Sequence, residues 1–223
     1  MEFSLAKQFL ILALNPDKGR VTIDSIHFRY TLTGAFLMDY LDKGELSISN
    51  KRIIPSFRNS TDPVHSMIGD RITASSSQKR ISYWIGRLTN KSRFMINNLT
   101  LILQQERVLT IEHKKFLGIF PYKRYWLIDK GIRSDLIETL RKILVHGRQP
   151  DKRELMLLGL IESSRSYKLL SRESGEARAM RKRNLELLKT EVAGAEINQA
   201  IREVQAAVAA SVMVATMSSH GSH

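Results

Sequence analysis

Asp151-Lys152-Arg153-Glu154-Leu155-Met156-Leu157-Leu158-Gly159-Leu160-Ile161 is the stretch on which the fold turns. Asp151 has the short acceptor side chain that an N-cap needs, and Glu154 stands three residues on. The two can satisfy exposed amides reciprocally, as a capping box. From Leu155 to Ile161 the chain is apolar nearly all round, a pattern that suits a helix surrounded by other elements. Such a helix needs amphipathic neighbours, and most of the remaining chain has their period. Leu5, Phe9 and Leu12 share one face of a first helix that ends in the turn Asn15-Pro16-Asp17-Lys18-Gly19. Phe28, Leu32 and Ala35 follow i, i+4, i+7 spacing in a helix over about 24–42, closed by Gly44. Met95, Leu99 and Ile102 mark a face of another over 92–106.

Further helices are expected at about 63–72, 78–88, 131–145, 173–192 and 196–217. Glu45-Leu46-Ser47-Ile48-Ser49 alternates like a short strand, and 56–62 reads as a loop. Two more β-like runs, 108–112 and 116–128, are joined as a hairpin, the second interrupted by Pro121. The expected fold is mainly α, a compact helical bundle with a small hydrophobic β-hairpin. No repeat or linker divides the chain, so one domain is expected over 1–217, followed by a polar tail at 218–223.

Composition narrows the function classes. The 223 residues carry 35 Lys and Arg against 22 Asp and Glu, a formal charge of +13. That excess favours anionic partners, nucleic acid or an acidic lipid surface, and is silent about fold. With no cysteine, disulfide scaffolds, Cys-ligated zinc, iron–sulfur clusters and thiol nucleophiles are excluded. The apolar run Phe9–Leu14 leads into Asn15-Pro16-Asp17 and lacks the form of an export signal. Ala206–Ala215 is about half the length of a membrane span and reads as a buried core helix. A cytoplasmic protein is expected.

No Gly-rich phosphate loop, His-Glu-x-x-His or Gly-x-Ser-x-Gly occurs. The six histidines show no i, i+4 pair. Ser4-x-x-Lys7 and Ser76-x-x-Lys79 match a serine–lysine spacing, but matches this short arise by chance. Neither enzymatic activity nor a cofactor or metal is expected.

Two basic features remain. Lys114 and Lys115 lead into Phe116-Leu117-Gly118-Ile119-Phe120-Pro121-Tyr122-Lys123-Arg124-Tyr125-Trp126, with aromatics around the hairpin turn and cations on both sides. Aromatics at a loop tip can enter the interfacial layer of a bilayer while flanking cations meet lipid phosphates. Phe120, Tyr122 and Trp126 are the residues read for insertion; Lys114, Lys115, Lys123 and Arg124 are those read for attraction. The same aromatics could equally pack on the core or bury a contact with a second copy. Arg178-Ala179-Met180-Arg181-Lys182-Arg183 is the other feature, and it reads as a solvated helix face.

Taken in order, four segments resemble the Golgi phosphoprotein 3 family of peripheral membrane proteins. These are the opening Leu5–Leu14, Thr33-Gly34-Ala35-Phe36-Leu37-Met38-Asp39-Tyr40-Leu41-Asp42-Lys43-Gly44-Glu45-Leu46, Val108-Leu109-Thr110 with the hairpin after it, and Asp151–Ile161. The resemblance implies a helical bundle with a hydrophobic hairpin, no catalysis, and binding of phosphatidylinositol 4-phosphate and of protein clients. The family's headgroup pocket of one Trp and three Arg carries over onto Asp24, Thr33, Arg93 and Ile96. Only Arg93 keeps its type, and Asp24 would repel a phosphate. Lys91 and Arg29 are the nearby cations able to substitute. A rival reading comes from the order helix, polar break, helix and hairpin over 78–128, which fits a winged helix. There Arg93, Asn97, Asn98, Gln104 and Gln105 would face nucleic-acid bases. An interaction scaffold that binds neither lipid nor nucleic acid is the third reading.

Overall fold

The computed structural model describes residues 3–190 and 194–220, the last six by backbone alone. Among them, nine α-helices and three two-stranded antiparallel sheets make a mainly α fold. The order is α1 Leu5–Ala13, β1 Leu14–Asn15, β2 Arg20–Val21, α2 Ser25–Asp42, β3 Leu46–Ser49, β4 Arg52–Pro55, α3 Pro63–Thr73, α4 Ile81–Thr89 and α5 Ser92–Gln105. There follow β5 Leu109–Phe116, β6 Phe120–Leu127, α6 Gly131–Leu144, α7 Lys152–Ser163, a 3-10 turn at Tyr167–Leu169, α8 Glu176–Leu187 and α9 Ala195–His220.

The capping box at Asp151 and Glu154 forms, and every residue from Leu155 to Ile161 is buried. Helix α2 is enclosed too. Beyond the stripe of Phe28, Leu32 and Ala35, all of Thr31–Leu41 is buried against α1, α4, α7 and α9. Asp39 lies inside this helix because it does a backbone job. Its carboxylate accepts from Leu5 N at 2.7 Å and Ala6 N at 3.0 Å, the otherwise orphaned first amides of α1. Burial pushes the Asp39 carboxyl up, against the pull of those two amides. Glu203 on α9 serves α4 in the same way, accepting from Ser82 N and Ser82 Oγ. Arg80, at that helix start, supplies no side-chain cap.

Helix α9 closes the core. Ile197, Ala200, Ile201, Val204, Ala207 and Val208 form its buried face. It approaches α2 and α7 over glycines: a Cβ at Gly34 would lie 2.8 Å from both methyls of Val204, and one at Gly159 2.9 Å from Ile201. The reading of Ala206–Ala215 as core holds only at Ala207 and Val208: Ala206, Ala209 and Ala210 are exposed, and Met213 and Val214 are 61% and 65% exposed.

Other departures are local. On α5 it is Leu103, not the half-buried Ile102, that completes the face of Met95 and Leu99. The turn after α1 is flanked by the short pair β1–β2, and β4 pairs with β3 through Asn50 and Lys51, both at positive φ. Helix α8 begins at Glu176 because Arg172 N and Glu173 N turn back to the Glu176 carboxylate and Gly175 takes φ +90°. The Arg141 guanidinium beside Glu176, at 2.6 Å, holds that carboxyl down to about 2. The helix expected over 173–192 ends at Leu187, and α9 continues to His220 through the first residues of the tail expected over 218–223; 191–192 and 221–223 lie outside the described residues.

Gly34→Ala sets helix propensity, a gain of about 0.5–1 kcal/mol, against a clash with a β-branched side chain that has little freedom to move. Overpacking of this kind costs roughly 1–3 kcal/mol. The expected result is a lower melting temperature for Gly34→Ala, and a double variant Gly34→Ala/Val204→Ala less destabilised than the two single effects added together.

Candidate functional site

The β5–β6 ribbon leaves the body at a buried root and becomes steadily more exposed along its length. Val108, Leu109 and Leu127 are in the core, whereas Phe116, Leu117, Ile119 and Phe120 are 60–73% exposed. The tip is a tight turn in which Ile119 N donates to Phe116 O at 3.1 Å. Both central residues have positive φ, Leu117 at +50° and Gly118 at +72°. Glycine adopts that region freely, but leucine does so at a cost of about 1–2 kcal/mol. An exposed leucine held in an unfavourable conformation gains nothing for the fold. Pro121 sits inside β6, opposite Lys115. A two-stranded ribbon has an open edge on each strand, and a proline nitrogen turned to that edge costs no ladder bond.

Alternation along the ribbon separates its charges. Odd positions, joined by Tyr122, border a cleft of about 670 Å³ that is lined by Arg29, Arg93, Ile96, His113, Lys123 and Tyr125 among others, and by no carboxylate. Arg29 is braced by its neighbours, donating through Nε to Ser92 Oγ at 2.7 Å and through Nη2 to Thr89 O at 3.2 Å. Lys123 Nζ donates to Asn97 Oδ1 at 3.3 Å. Arg29, Arg93 and Lys123 make no ion pair among the described residues. Burial pushes the Tyr125 phenol up from its ordinary value. The arrangement gathers three uncompensated cations around a concavity, which is what a multiply charged phosphate requires.

The four carried-over pocket positions do not meet. Arg93 and Ile96 line the cleft, with Arg29 supplying the second guanidinium. Thr33 is buried one turn along α2 from Arg29, donating to Arg29 O and accepting from Thr89 Oγ1. Asp24 is the N-cap of α2, bonded to Ile26 N and His27 N, in a different depression. The His27 ring and amide hold its carboxyl below the usual range. Lys91 lies outside the cleft lining.

The hairpin set divides as well. Phe116 and Phe120 reach the tip, and Tyr122 lies midway under the Arg124 guanidinium, 5.3 Å from its ring centre. Trp126 is at the root, its indole against Gly19 and its Nε1 donating to Glu112 at 2.9 Å. That bond, with Lys114 at 3.1 Å, holds the Glu112 carboxyl below its usual range. Lys115 is exposed next to the tip. Of the residues read for base contact on α5, Asn97 accepts from Lys123 through Oδ1 and Asn98 donates back to Phe94 O. Ser4, of the serine–lysine spacing, caps α1 by accepting from Lys7 N, and Lys7 pairs with Glu106. Leu117 and Ile119 were not read from the sequence as the leading residues; the preference for aromatics over aliphatics at an interface obscured them.

The model of the family described as Golgi phosphoprotein 3 (GPP34) matches residues 5–204, a span that includes the cleft and the whole ribbon. No curated protein matches the chain.

Relief of the tip strain is measurable. Leu117→Asn, which places a residue tolerant of positive φ in the turn, is expected to leave the melting temperature unchanged or raise it, by up to about 1 kcal/mol of stability. A clear loss of stability would show that the Leu117 side chain has a structural role.

Proposed function

The chain belongs to the Golgi phosphoprotein 3 family, and on that footing we propose that it is a non-enzymatic peripheral adaptor docking on anionic membrane. The tip residues Phe116, Leu117, Ile119 and Phe120 enter the interfacial layer. The cleft of Arg29, Arg93 and Lys123 takes a phosphorylated headgroup, a phosphoinositide such as phosphatidylinositol 4-phosphate being the chemistry it fits. The observation that carries this reading is the strained, exposed, wholly apolar tip set beside an acid-free cationic cleft. Large side chains are exposed here at a conformational cost, and strain retained at an exposed site points to function. Among the described residues no helix is long and apolar enough to cross a membrane, so attachment rests on the ribbon and on charge.

The magnitudes suffice for reversible binding. Each cation near an anionic leaflet contributes about 1 kcal/mol, and shallow burial of a few apolar side chains adds about 25 cal/mol per Å² removed from water. Neither contribution alone holds a protein on a bilayer; together they do, with affinity that falls as salt rises. A protein client and the cytoplasmic face as the place of action follow from the same reading.

Co-sedimentation with vesicles tests it, using neutral lipid, added phosphatidylserine, and phosphatidylinositol 4-phosphate at matched charge. The protein is expected to leave neutral vesicles unbound and to bind both charged kinds, with the phosphoinositide preferred. Arg93→Ser/Lys123→Ser is expected to weaken phosphoinositide binding by about 10- to 30-fold. Ile119→Ser/Phe120→Ser should weaken binding to every charged vesicle. If the tip variant binds vesicles normally but sediments as a smaller species, the hairpin is a contact between copies and the insertion reading fails.

A further inference from the structure

The even-numbered face of the ribbon meets a different part of the body. There β5 and β6 present Lys114, Arg124 and Trp126 toward the turn between β1 and β2, around a concavity of about 420 Å³. The turn contributes Lys18, Arg20 and Asp17. We infer that this concavity is a second anion site, one that takes the phosphate of a membrane phospholipid on the side of the ribbon opposite the cleft. The inference rests on the membrane reading above.

Fixed geometry distinguishes the place from a scatter of surface lysines. Asn15 Oδ1 accepts from Asp17 N at 2.9 Å and Lys18 N at 2.8 Å, which shapes the turn. Gly19, at φ +58°, lies so close to the Trp126 indole that a Cβ there would be 3.0 Å from the ring. Gly19 O accepts from Tyr125 N at 2.8 Å, and Lys18 O from an Arg124 guanidinium nitrogen. Residues about a hundred positions apart are thereby locked into one rim. Of the two acids nearby, Asp17 is taken by Lys130 at 3.0 Å, and Glu112 by Lys114 and Trp126. Lys18 and Arg20 make no ion pair among the described residues; Arg124 lies across the ribbon from Glu112 and shares that one carboxylate with Lys114 and Trp126, so the rim keeps an excess of cations.

The depth of the site along the ribbon identifies the source of the phosphate. Lys114 and Arg124 share the even-numbered face with Phe116 and Phe120. Arg124 is four residues behind Phe120, about 14 Å along the strand. A tip buried roughly 5–10 Å into the interface leaves Arg124, Lys18 and Arg20 at the level of the headgroups, a layer about 6 Å deep on each side of the bilayer. A free phosphate would have no need of cations set back by that distance from an apolar point. The ribbon thus has an anion site on each face, and two headgroups bound astride it would fix its angle to the membrane.

Lys18→Ser/Arg20→Ser removes two exposed cations that belong to neither the cleft nor the tip. Its affinity for phosphatidylcholine vesicles carrying phosphatidylserine is expected to fall about tenfold, with the melting temperature unchanged. A charge-matched control, Arg58→Ser/Arg71→Ser, is expected to bind nearly as the parent does. Equal losses in the two variants would reduce the effect to net charge and overturn the site, as would parental binding by Lys18→Ser/Arg20→Ser. Saturable movement of the Gly19 amide resonance on adding inorganic phosphate, with vesicle binding unaffected by Lys18→Ser/Arg20→Ser, would overturn the lipid as the source. The membrane reading fails separately, when Ile119→Ser/Phe120→Ser leaves vesicle binding intact.

Discussion

The closeness of α9 to α2 and α7 is the constraint on which the rest of the architecture depends. Val204 and Ile201 lie 2.8 and 2.9 Å from where the first carbon of a side chain at Gly34 or Gly159 would be, closer than any such carbon tolerates. Because α9 packs this closely on both, α2 and α7 can be enclosed, α7 with an apolar run from Leu155 to Ile161 and α2 with every residue from Thr31 to Leu41 buried. Two of the carboxylates kept inside replace missing main-chain partners. Asp39 supplies the first amides of α1, and Glu203 supplies the start of α4. Removing either leaves buried donors unpaired, at roughly 1–3 kcal/mol each. Both carboxylates cap helices to which they do not belong, so the helix starts depend on tertiary assembly.

On that body the ribbon stands as a lever with three chemical zones. Its root is tied to the core by Leu109 and Leu127 and to the β1–β2 turn by Gly19 and Trp126. Its middle carries cations, sorted by alternation into two sets on opposite faces. Its tip is apolar and strained at Leu117. The order of zones matches the order in which an entering ribbon meets a membrane: the hydrocarbon boundary at the tip, phosphates behind it, water at the root. Trp126, which sequence alone reads as an insertion residue, lies at the root, against Gly19 and bonded to Glu112.

Much of the helical layout was legible because it is local. The capping box at Asp151, the apolar run behind it and the period of α2 and α5 each depend on residues within a few turns of one another. The hairpin was legible from its aromatic and cationic composition, and its two faces would have followed from strict alternation across His113, Lys123 and Tyr125 against Lys114, Arg124 and Trp126. Strand β4 was hidden because Arg52-Ile53-Ile54-Pro55 has no alternation and its turn uses Asn50 and Lys51 rather than glycine. The joining of Arg29 to Arg93, or of Lys18 to Arg124, depends on contacts between residues 64 and 106 positions apart, for which a single sequence carries no signal. Spacing carried over from the family placed Asp24 and Thr33 at pocket positions, whereas in this fold Arg29, one turn before Thr33, faces the cleft.

Depth is the central claim: the tip lies in the bilayer and the cation sites lie at its surface. The direct measurement compares fluorescence quenching by brominated acyl chains in the parent and in Phe120→Trp, both bound to anionic vesicles. In the parent, Trp84 is in the core and Trp126 is at the ribbon root, so the emission should be little quenched. The added indole of Phe120→Trp should be strongly quenched and shifted to the blue. Equal, weak quenching in the two proteins would mean that the ribbon lies clear of the bilayer, and would contradict the account.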